Sequence, residues 1–334
     1  MERPCVVVAR EDGEATRQRL AEADLIDEEF GIEVSDGDLH IPVTDPDAVP
    51  EDLDLVRRDV PARTPQRTPA DLLGDEPTYE RLGDVVLVDE DDPERATEIA
   101  EAVVASDIPV RSVLNRDSKV KGETRVRDWK VLADEGEEDQ PPTETVHREY
   151  GHEFAVDVAE VYFSPRLATE RHRVVEQVEP GEHVLDMFAG VGPYAIPMAD
   201  AGAEVVACDL NPDAIRYLEE NARRNGVEDR ITTHVGDVRE LTEEYADWAD
   251  RLVMNLPHTA AEFADAAVAF AGDSCVVHLY DIQHEDDPFE RGRTALSDAA
   301  GDEYEVTTLE ERVVRSYAPH EVNVCLDARL DRID

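Results

Sequence analysis

The stretch from Val184 to Tyr194 reads V-L-D-M-F-A-G-V-G-P-Y, an apolar run that passes through Asp186 into a Gly-x-Gly turn. Gly190 and Gly192 carry no Cβ, so the backbone there can adopt positive φ and pass close to a ligand. Taken alone, such a turn serves plain strand-to-helix packing as well as ligand binding. The residues that follow narrow the choice. Val205 to Cys208 reads as a second buried strand, and Asp209 ends it where one carboxylate can accept both hydroxyls of a ribose. Asn211 and Pro212 then open a helix as cap and first residue, with Ile215, Leu218 and Ala222 as its inner stripe and Gly226 as its stop. Ile231 to Val235 suits a third strand, followed by Gly236 and Asp237. The Asp237 carboxylate can accept from an exocyclic adenine amine, or equally cap a helix. Arg251 to Met254 is a fourth strand that runs into Asn255, Leu256 and Pro257. An Asn beside a Pro at a strand end either turns carbonyl groups toward a planar NH-bearing substrate or makes a simple turn.

Phosphate chemistry is missing from this series. Pro193, Tyr194 and Ala195 follow Gly192 where a dinucleotide fingerprint places its third glycine, and G-x-x-x-x-G-K-[ST] occurs nowhere. An adenosine cofactor without a phosphate chain remains, which fits S-adenosylmethionine. The cofactor set read from the chain is Asp186, Phe188, Gly190, Gly192, Asp209, Asn211, Asp237, Asn255 and Pro257. The predicted fold is α/β, a Rossmann-like S-adenosylmethionine-dependent methyltransferase domain preceded by two smaller α/β or α+β domains. Strand-like segments Val306 to Val314 and His320 to Leu330 predict an antiparallel edge.

Five segments together resemble the archaeal and eukaryotic tRNA (guanine-N1)-methyltransferases that modify guanosine 37, just 3′ of the anticodon. They are residues 147–151 (HREYG), 161–171 (VYFSPRLATER), 186–193 (DMFAGVGP), 255–257 (NLP) and 315–319 (RSYAP), spread over about residues 80 to 334. The N1 of guanosine carries a proton at neutral pH, so a general base is required before it can attack a sulfonium methyl. The resemblance implies that Glu170 takes that proton and that Arg125 stabilises the charge developing on O6. It also implies that Asn255 orients the guanine edge. Glu170 would otherwise be a first-turn acid complementing a helix dipole, and Arg125 a solvated surface residue. Residues 134–142 (DEGEEDQPP) look like an insertion relative to the family, so Arg127 is the candidate if the correspondence slips. A related aminocarboxypropyl transferase of wybutosine type shares the fold and cofactor, and the sequence at Asn255 to Pro257 argues against it. A non-catalytic RNA-binding module that keeps the shell would show a degraded pocket, which this chain does not.

Composition bears on the partner. The chain has 81 acidic and 33 basic residues among 334, a formal charge of −48, yet the resemblance implies a polyanionic tRNA substrate. At about 1 M salt the Debye length falls to about 3 Å, which hides distant carboxylates. A halophilic cytoplasm reconciles the two. Against this background Arg111 to Lys130 is the one basic stretch, holding all three lysines, Lys119, Lys121 and Lys130, with Arg111, Arg116, Arg125 and Arg127. Local clusters of this kind are the usual phosphate footprint, although they also occur as solvated faces. Lys119, Lys121 and Arg127, with Arg166 from the resembling segment, form the expected substrate-binding set.

Punctuation divides the chain into a small domain over residues 1–45, which the resemblance implies contacts tRNA, a Pro-rich linker over 46–80, an α/β domain over 81–163 expected to bind RNA and the cofactor-binding catalytic domain over 164–334. Within the first, Cys5 to Ala9 reads as a strand, Glu14 to Ile26 as a helix, and Asp36 and Gly37 as a hairpin turn. The four cysteines lack metal-ligand or disulfide spacing, so no metal is expected. No apolar run approaches membrane-spanning length and no signal segment is read at the amino terminus. The expectation is a cytoplasmic monomer.

Overall fold

The structure is a computed structural model that describes residues 2–9, 13–35, 37–50, 52–62, 66–118, 122, 126–137 and 140–333. The chain divides into two units, Met1–Arg67 and Thr68–Asp334. In the first, strands β1 (Glu2–Ala9), β2 (Glu33–Ser35), β3 (Asp38–Pro42) and β4 (Asp54–Asp59) form a four-stranded sheet in the order β2-β3-β1-β4. Helix α1 (Gly13–Glu22) contributes Leu20 to a core that holds Val6, Leu25, Ile41 and Val43. The helix stops short of Ile26. Asp24 takes φ 57°, its N–H donates to the Ala21 carbonyl, and the Leu25 N–H reaches back to the Leu20 carbonyl. That paired closure over a left-handed residue is a Schellman end, which an Asp adopts more readily than most residues.

The predicted linker over 46–80 needs correction. Residues 54–59 form β4, which pairs along β1 from Glu2↔Asp59 to Val7↔Asp54, so they belong to the first unit's sheet. Thr68 then caps α2 (Pro69–Leu73) in a reciprocal box with Asp71, and Gly74 closes it in the left-handed region. The prolines lie around these elements; Pro69 occupies a first-turn site where no N–H is missed.

In the second unit, β5 (Tyr79–Leu82), β6 (Val85–Val88), β7 (Ser112–Arg116) and β8 (Trp129–Asp134) make a four-stranded sheet in sequence order, backed by α3 (Pro93–Ala105). Gly83 is the turn between β5 and β6 at φ 58°. A Cβ there would lie 2.3 Å from Thr145 Oγ1, so close approach requires the glycine as much as the turn does. A hairpin follows, β9 (Glu144–Glu149) and β10 (His152–Asp157).

The remaining elements are α4 (Ala168–Val175), β11 (His183–Asp186), α5 (Ala195–Asp200), β12 (Glu204–Asp209), α6 (Pro212–Asn225), β13 (Ile231–Val235), β14 (Ala249–Met254), α7 (Ala264–Phe270), β15 (Ala271–His284), α8 (Glu290–Ala300), β16 (Tyr304–Ala318) and β17 (Glu321–Arg332). Their seven strands run in the order β13-β12-β11-β14-β15-β17-β16. The first five are parallel, and β17 and β16 add the expected antiparallel edge. Alternate residues serve opposite faces, as the strand period of two demands. Val184, Val205 and Ala207 join one core, while Leu185, Val206 and Cys208 join the other.

The expected boundary at 163/164 does not separate two cores. Leu82, Val85, Leu114 and Phe154 pack in one cluster with Val184, Ala207 and Tyr280. Polar groups reinforce the join. Asn221 on α6, fully buried, accepts from the Ala155 N–H at 2.7 Å and donates to the Ala155 carbonyl at 3.1 Å. Asn225, one turn on, does the same for Glu153. Two amides thus stand in for a neighbouring strand along β10 and satisfy backbone groups that would otherwise be buried unpaired.

Candidate active site

Parallel strands order their carboxyl ends at one edge, and here the order reverses between β11 and β14, the position where α/β sheets leave a crevice. A cleft of roughly 580 Å³ opens there. Phe188, Gly190, Asp209, Asn211, Asp237, Asn255 and Pro257 all line it. The structure therefore brings together seven of the nine residues expected to bind the cofactor, and places the other two, Asp186 and Gly192, just behind the wall.

Gly192 works differently from the expectation. It sits at φ 89°, and a Cβ on it would lie 3.0 Å from Ile196 Cδ1 and 3.1 Å from Leu218 Cγ. It lets the turn press onto α5 and α6, whereas Gly190, at φ 54° with nothing nearer than the Tyr162 carbonyl at 4.0 Å, leaves its space to a ligand. Asp186 is fully buried beneath the turn, and its carboxylate makes no well-formed hydrogen bond among the described residues. Burial pushes its pKa up to about 7; the Phe188 and Ala195 N–H groups ease its charge while the Asp209 carboxylate opposes it.

Asp209 ends β12 with its Oδ2 accepting the Gly190 N–H at 2.7 Å and its Oδ1 the Asn211 N–H at 2.9 Å. Burial raises it above the ordinary carboxylate range, with those two N–H groups acting against the rise. Each oxygen keeps a lone pair for a further donor. Asn211 caps α6 through the Asp213 N–H at 3.0 Å and donates to the Glu160 carbonyl at 2.8 Å. Asp237 faces the cleft but also serves as a cap, accepting the Arg239 N–H at 3.0 Å. Its carboxylate grips the Arg239 guanidinium, which holds it below the usual range. The cap reading of Asp237 is thus observed, in a side chain that also faces the cleft.

At the far wall, Asn255 to Pro257 lead into His258, whose φ of 84° is rare for a residue with a Cβ. Its ring packs edge-on against Tyr317 at 5.6 Å, and both line the cleft. Arg166 pairs with Glu80 at 3.3 Å. Burial raises the Glu80 carboxyl, and the charges of Arg166, Arg315 and Arg127 counter it, so these cations gather around one acid. Arg127 also lies over the Trp129 ring at 5.7 Å. Lys119, Lys121 and Arg125 lie outside the described residues.

Glu170 is placed otherwise than the sequence suggested. It is 5% exposed and stands one layer behind the cleft, which the neighbouring Arg171 lines instead. Tyr280 Oη donates to its Oε1 at 2.9 Å, Arg173 grips both oxygens at 2.6 and 3.0 Å, and Arg312 approaches Oε2 at 3.2 Å. It is thus neither a solvated first-turn acid nor, in this state, a carboxylate open to a ligand. Arg171 makes a buried bidentate pair with Glu149 at 2.7 and 2.6 Å and lies over the Phe163 ring at 5.1 Å. Sequence reasoning missed Arg171, Tyr280, Arg315, Tyr317 and Asn323. Arg171, Arg315 and Tyr317 fall inside the segments that carried the resemblance; Tyr280 and Asn323 lie in strands with no local mark.

This strand order, a glycine turn after the first strand and an acid ending the second define a Rossmann-like methyltransferase with a site for an adenosyl cofactor. Residues 145–308 match the TRM5/TYW2 methyltransferase domain, residues 5–51 the tRNA methyltransferase 5 N-terminal domain, and residues 65–139 the TYW2 N-terminal domain. The chain is 39% identical to the tRNA (guanine(37)-N(1))-methyltransferase Trm5b of Pyrococcus abyssi over 97% of its own length and 98% of that protein. Its fold is similar to that of aTrm5 in complex with tRNALeu, with a TM-score of 0.70, 31% identity and 99% of each chain covered. It is also similar to Methanocaldococcus jannaschii TYW2 in complex with AdoMet, with a TM-score of 0.60 and 30% identity, over 77% of this chain and 100% of that one. The chain belongs to the TRM5/TYW2 methyltransferase family.

Proposed function

We propose that this chain transfers the methyl group of S-adenosylmethionine to N1 of guanosine 37 of tRNA. The observation that carries the reading is a cleft with the residues for an adenosyl cofactor in a chain matched end to end by a guanine-N1 methyltransferase. The aminocarboxypropyl transferase relative leaves about a quarter of the chain unmatched. The buried carboxylate of Asp186 fits the cofactor's ammonium group, and Asp209 fits its ribose hydroxyls. When bound, S-adenosylmethionine supplies a sulfonium methyl as electrophile.

The protein's own groups do the rest by positioning. Asn255 orients the guanine, Arg125, or Arg127 if the correspondence slips, stabilises charge on O6, and Glu170 takes the N1 proton. For Glu170 to do so one of its donors must leave. Tyr280 is fully buried and the Arg173 side chain is 15% exposed, whereas the Arg312 side chain is 43% exposed and is the member that can swing out. Lys119, Lys121, Arg127 and Arg166 contact phosphates, and the enzyme works as a monomer in a saline cytoplasm, the excess of acidic residues supporting the saline part of that reading. No described helix is long and apolar enough to cross a membrane.

Incubation in molar KCl with labelled S-adenosylmethionine and transcripts bearing G or A at position 37 tests the reading. 1-Methylguanosine from the G transcript alone is the expected product, identified by mass spectrometry. Cofactor binding without transfer to either transcript would move the assignment to another group or another RNA.

A second expectation concerns pH. The cofactor's ammonium favours ionised Asp186, whose pKa burial raises to about 7. Binding therefore releases a proton, and affinity should rise as pH climbs, by up to about tenfold per pH unit below that value, then level off. Calorimetry in buffers of different ionisation enthalpy should show the released proton. Asp186→Asn should bind more weakly and with a flat pH dependence; a slope as steep as that of the unaltered protein would exclude Asp186 as the titrating group.

A further inference from the structure

One stretch of the cleft wall is polar, buried and unsatisfied. Strands β16 and β17 pair so that Arg315 stands opposite Asn323, and both residues line the cleft. Asn323 is 3% exposed, yet its Oδ1 has no hydrogen-bond partner among the described residues. The Nε of Arg315 is likewise buried without one. An acceptor and a donor left unpaired side by side are uncommon in a folded protein unless a ligand completes them. Their position gives the ligand's orientation. Two residues along β17, and so on the same face, Cys325 lies between Tyr280 of β15 and Arg312 of β16, two of the three donors around Glu170.

We propose that Asn323 is a specificity-determining residue that accepts a hydrogen bond from the exocyclic 2-amino group of the target guanine, while Arg315 donates to an oxygen of the same nucleotide. On the guanine edge the 2-amino group, N1 and O6 follow in a row, so anchoring the amine at Asn323 leaves N1 as the next group toward Glu170. The inference deepens the reading of the chain as a guanine-N1 methyltransferase and rests on it. Adenine has no 2-amino group and inosine differs from guanosine only in lacking it, so the two substrates separate this contact from every other.

The test is kcat/KM for transcripts bearing guanosine or inosine at position 37, with cofactor affinity measured on each variant as a check on folding. The unaltered protein should prefer guanosine. Asn323→Ala should lose about ten- to a hundredfold on guanosine, the range expected when one partner of a buried hydrogen bond is removed, and lose little on inosine. Asn323→Asp keeps an acceptor oxygen and should keep the preference. Equal losses on both transcripts, or no loss on guanosine, would overturn the role of Asn323 while leaving the methyltransferase reading intact. Failure of the unaltered protein to modify either transcript would remove that reading and this inference with it.

Discussion

Glu170→Gln should lower methyl transfer by about 10²- to 10⁴-fold, the usual contribution of a positioned general base, while leaving S-adenosylmethionine affinity close to normal. The amide is nearly isosteric with the carboxylate but cannot accept the N1 proton. Cofactor binding should survive because Glu170 stands behind the cleft wall, whereas Asp209, Asn211 and Asn255 form that wall. The measurement is single-turnover transfer at saturating cofactor and RNA, which separates chemistry from binding and product release. The substitution also replaces an acceptor of Tyr280, Arg173 and Arg312 by an amide, so thermal stability has to be followed in parallel. Turnover within about threefold of normal by a folded variant would remove Glu170 as the base, since a lost general base costs at least about 10².

Arg173→Met should cost about 3–5 kcal/mol of stability, the penalty for leaving buried charge without its partner. Arg173 sits between Glu170 and Asp327, at 2.6 Å from each, and both carboxylates are nearly inaccessible. The chain of contacts continues beneath the sheet. Asp327 Oδ1 lies 2.7 Å from His278 Nδ1, and His278 Nε2 lies 2.8 Å from Arg251 Nη1, which pairs in turn through its Nε with Glu182 at 2.8 Å. A guanidinium can only donate, so His278 Nε2 accepts and its Nδ1 carries the proton that is donated to Asp327. Burial works against the Asp327 charge, but His278 and Arg173 hold its carboxyl well below the usual range. Burial also lowers His278, with the Arg251 and Arg173 charges acting in the same direction and Asp327 against it. Removing Arg173 leaves two carboxylates facing each other with one histidine and the half-exposed Arg312 to answer them. Urea unfolding at fixed KCl should report the loss, and Arg173→Lys, which keeps the charge but not the fork, should fall between. A loss under about 1 kcal/mol for Arg173→Met would mean that this buried network relaxes like a surface pair.

The same cluster of His278, Cys325 and Asp327 has the spacing of metal ligands. Its charges oppose that use. Arg173 and Arg251 contact these ligand atoms directly, so a cation would meet two guanidinium groups as well as its ligands. Among the described residues these three side chains are tied instead into ion pairs and hydrogen bonds with Arg173, Arg251 and one another.

The sequence by itself determined the elements that depend on near neighbours. The glycine turn after Asp186, the acid ending β12, the Asn211 and Pro212 start of α6, its Gly226 stop and the strand at Ile231 to Val235 all follow from local periodicity and capping chemistry. These features coincide in the structure within the bounds read for them. What the sequence could not determine lies between distant segments. Residues 54–59 look like exposed linker until β1, some fifty positions away, supplies their hydrogen bonds. Residues 81–163 look self-contained until Phe154 and Leu82 are seen to share a core with Tyr280.

Charged residues were the least legible. Arg171, Arg173 and Arg251 resemble solvated surface cations, yet each is paired beneath the surface with an acid that a different element provides. A charge is affordable in a protein interior only when its partner is already in place, and that partner is set by tertiary packing rather than by spacing. For the same reason Glu170 could be singled out by its motif but not located. Only the pairing of β15, β17 and β16 put Tyr280 and Arg312 around it and left Asn323 facing the cleft unpaired.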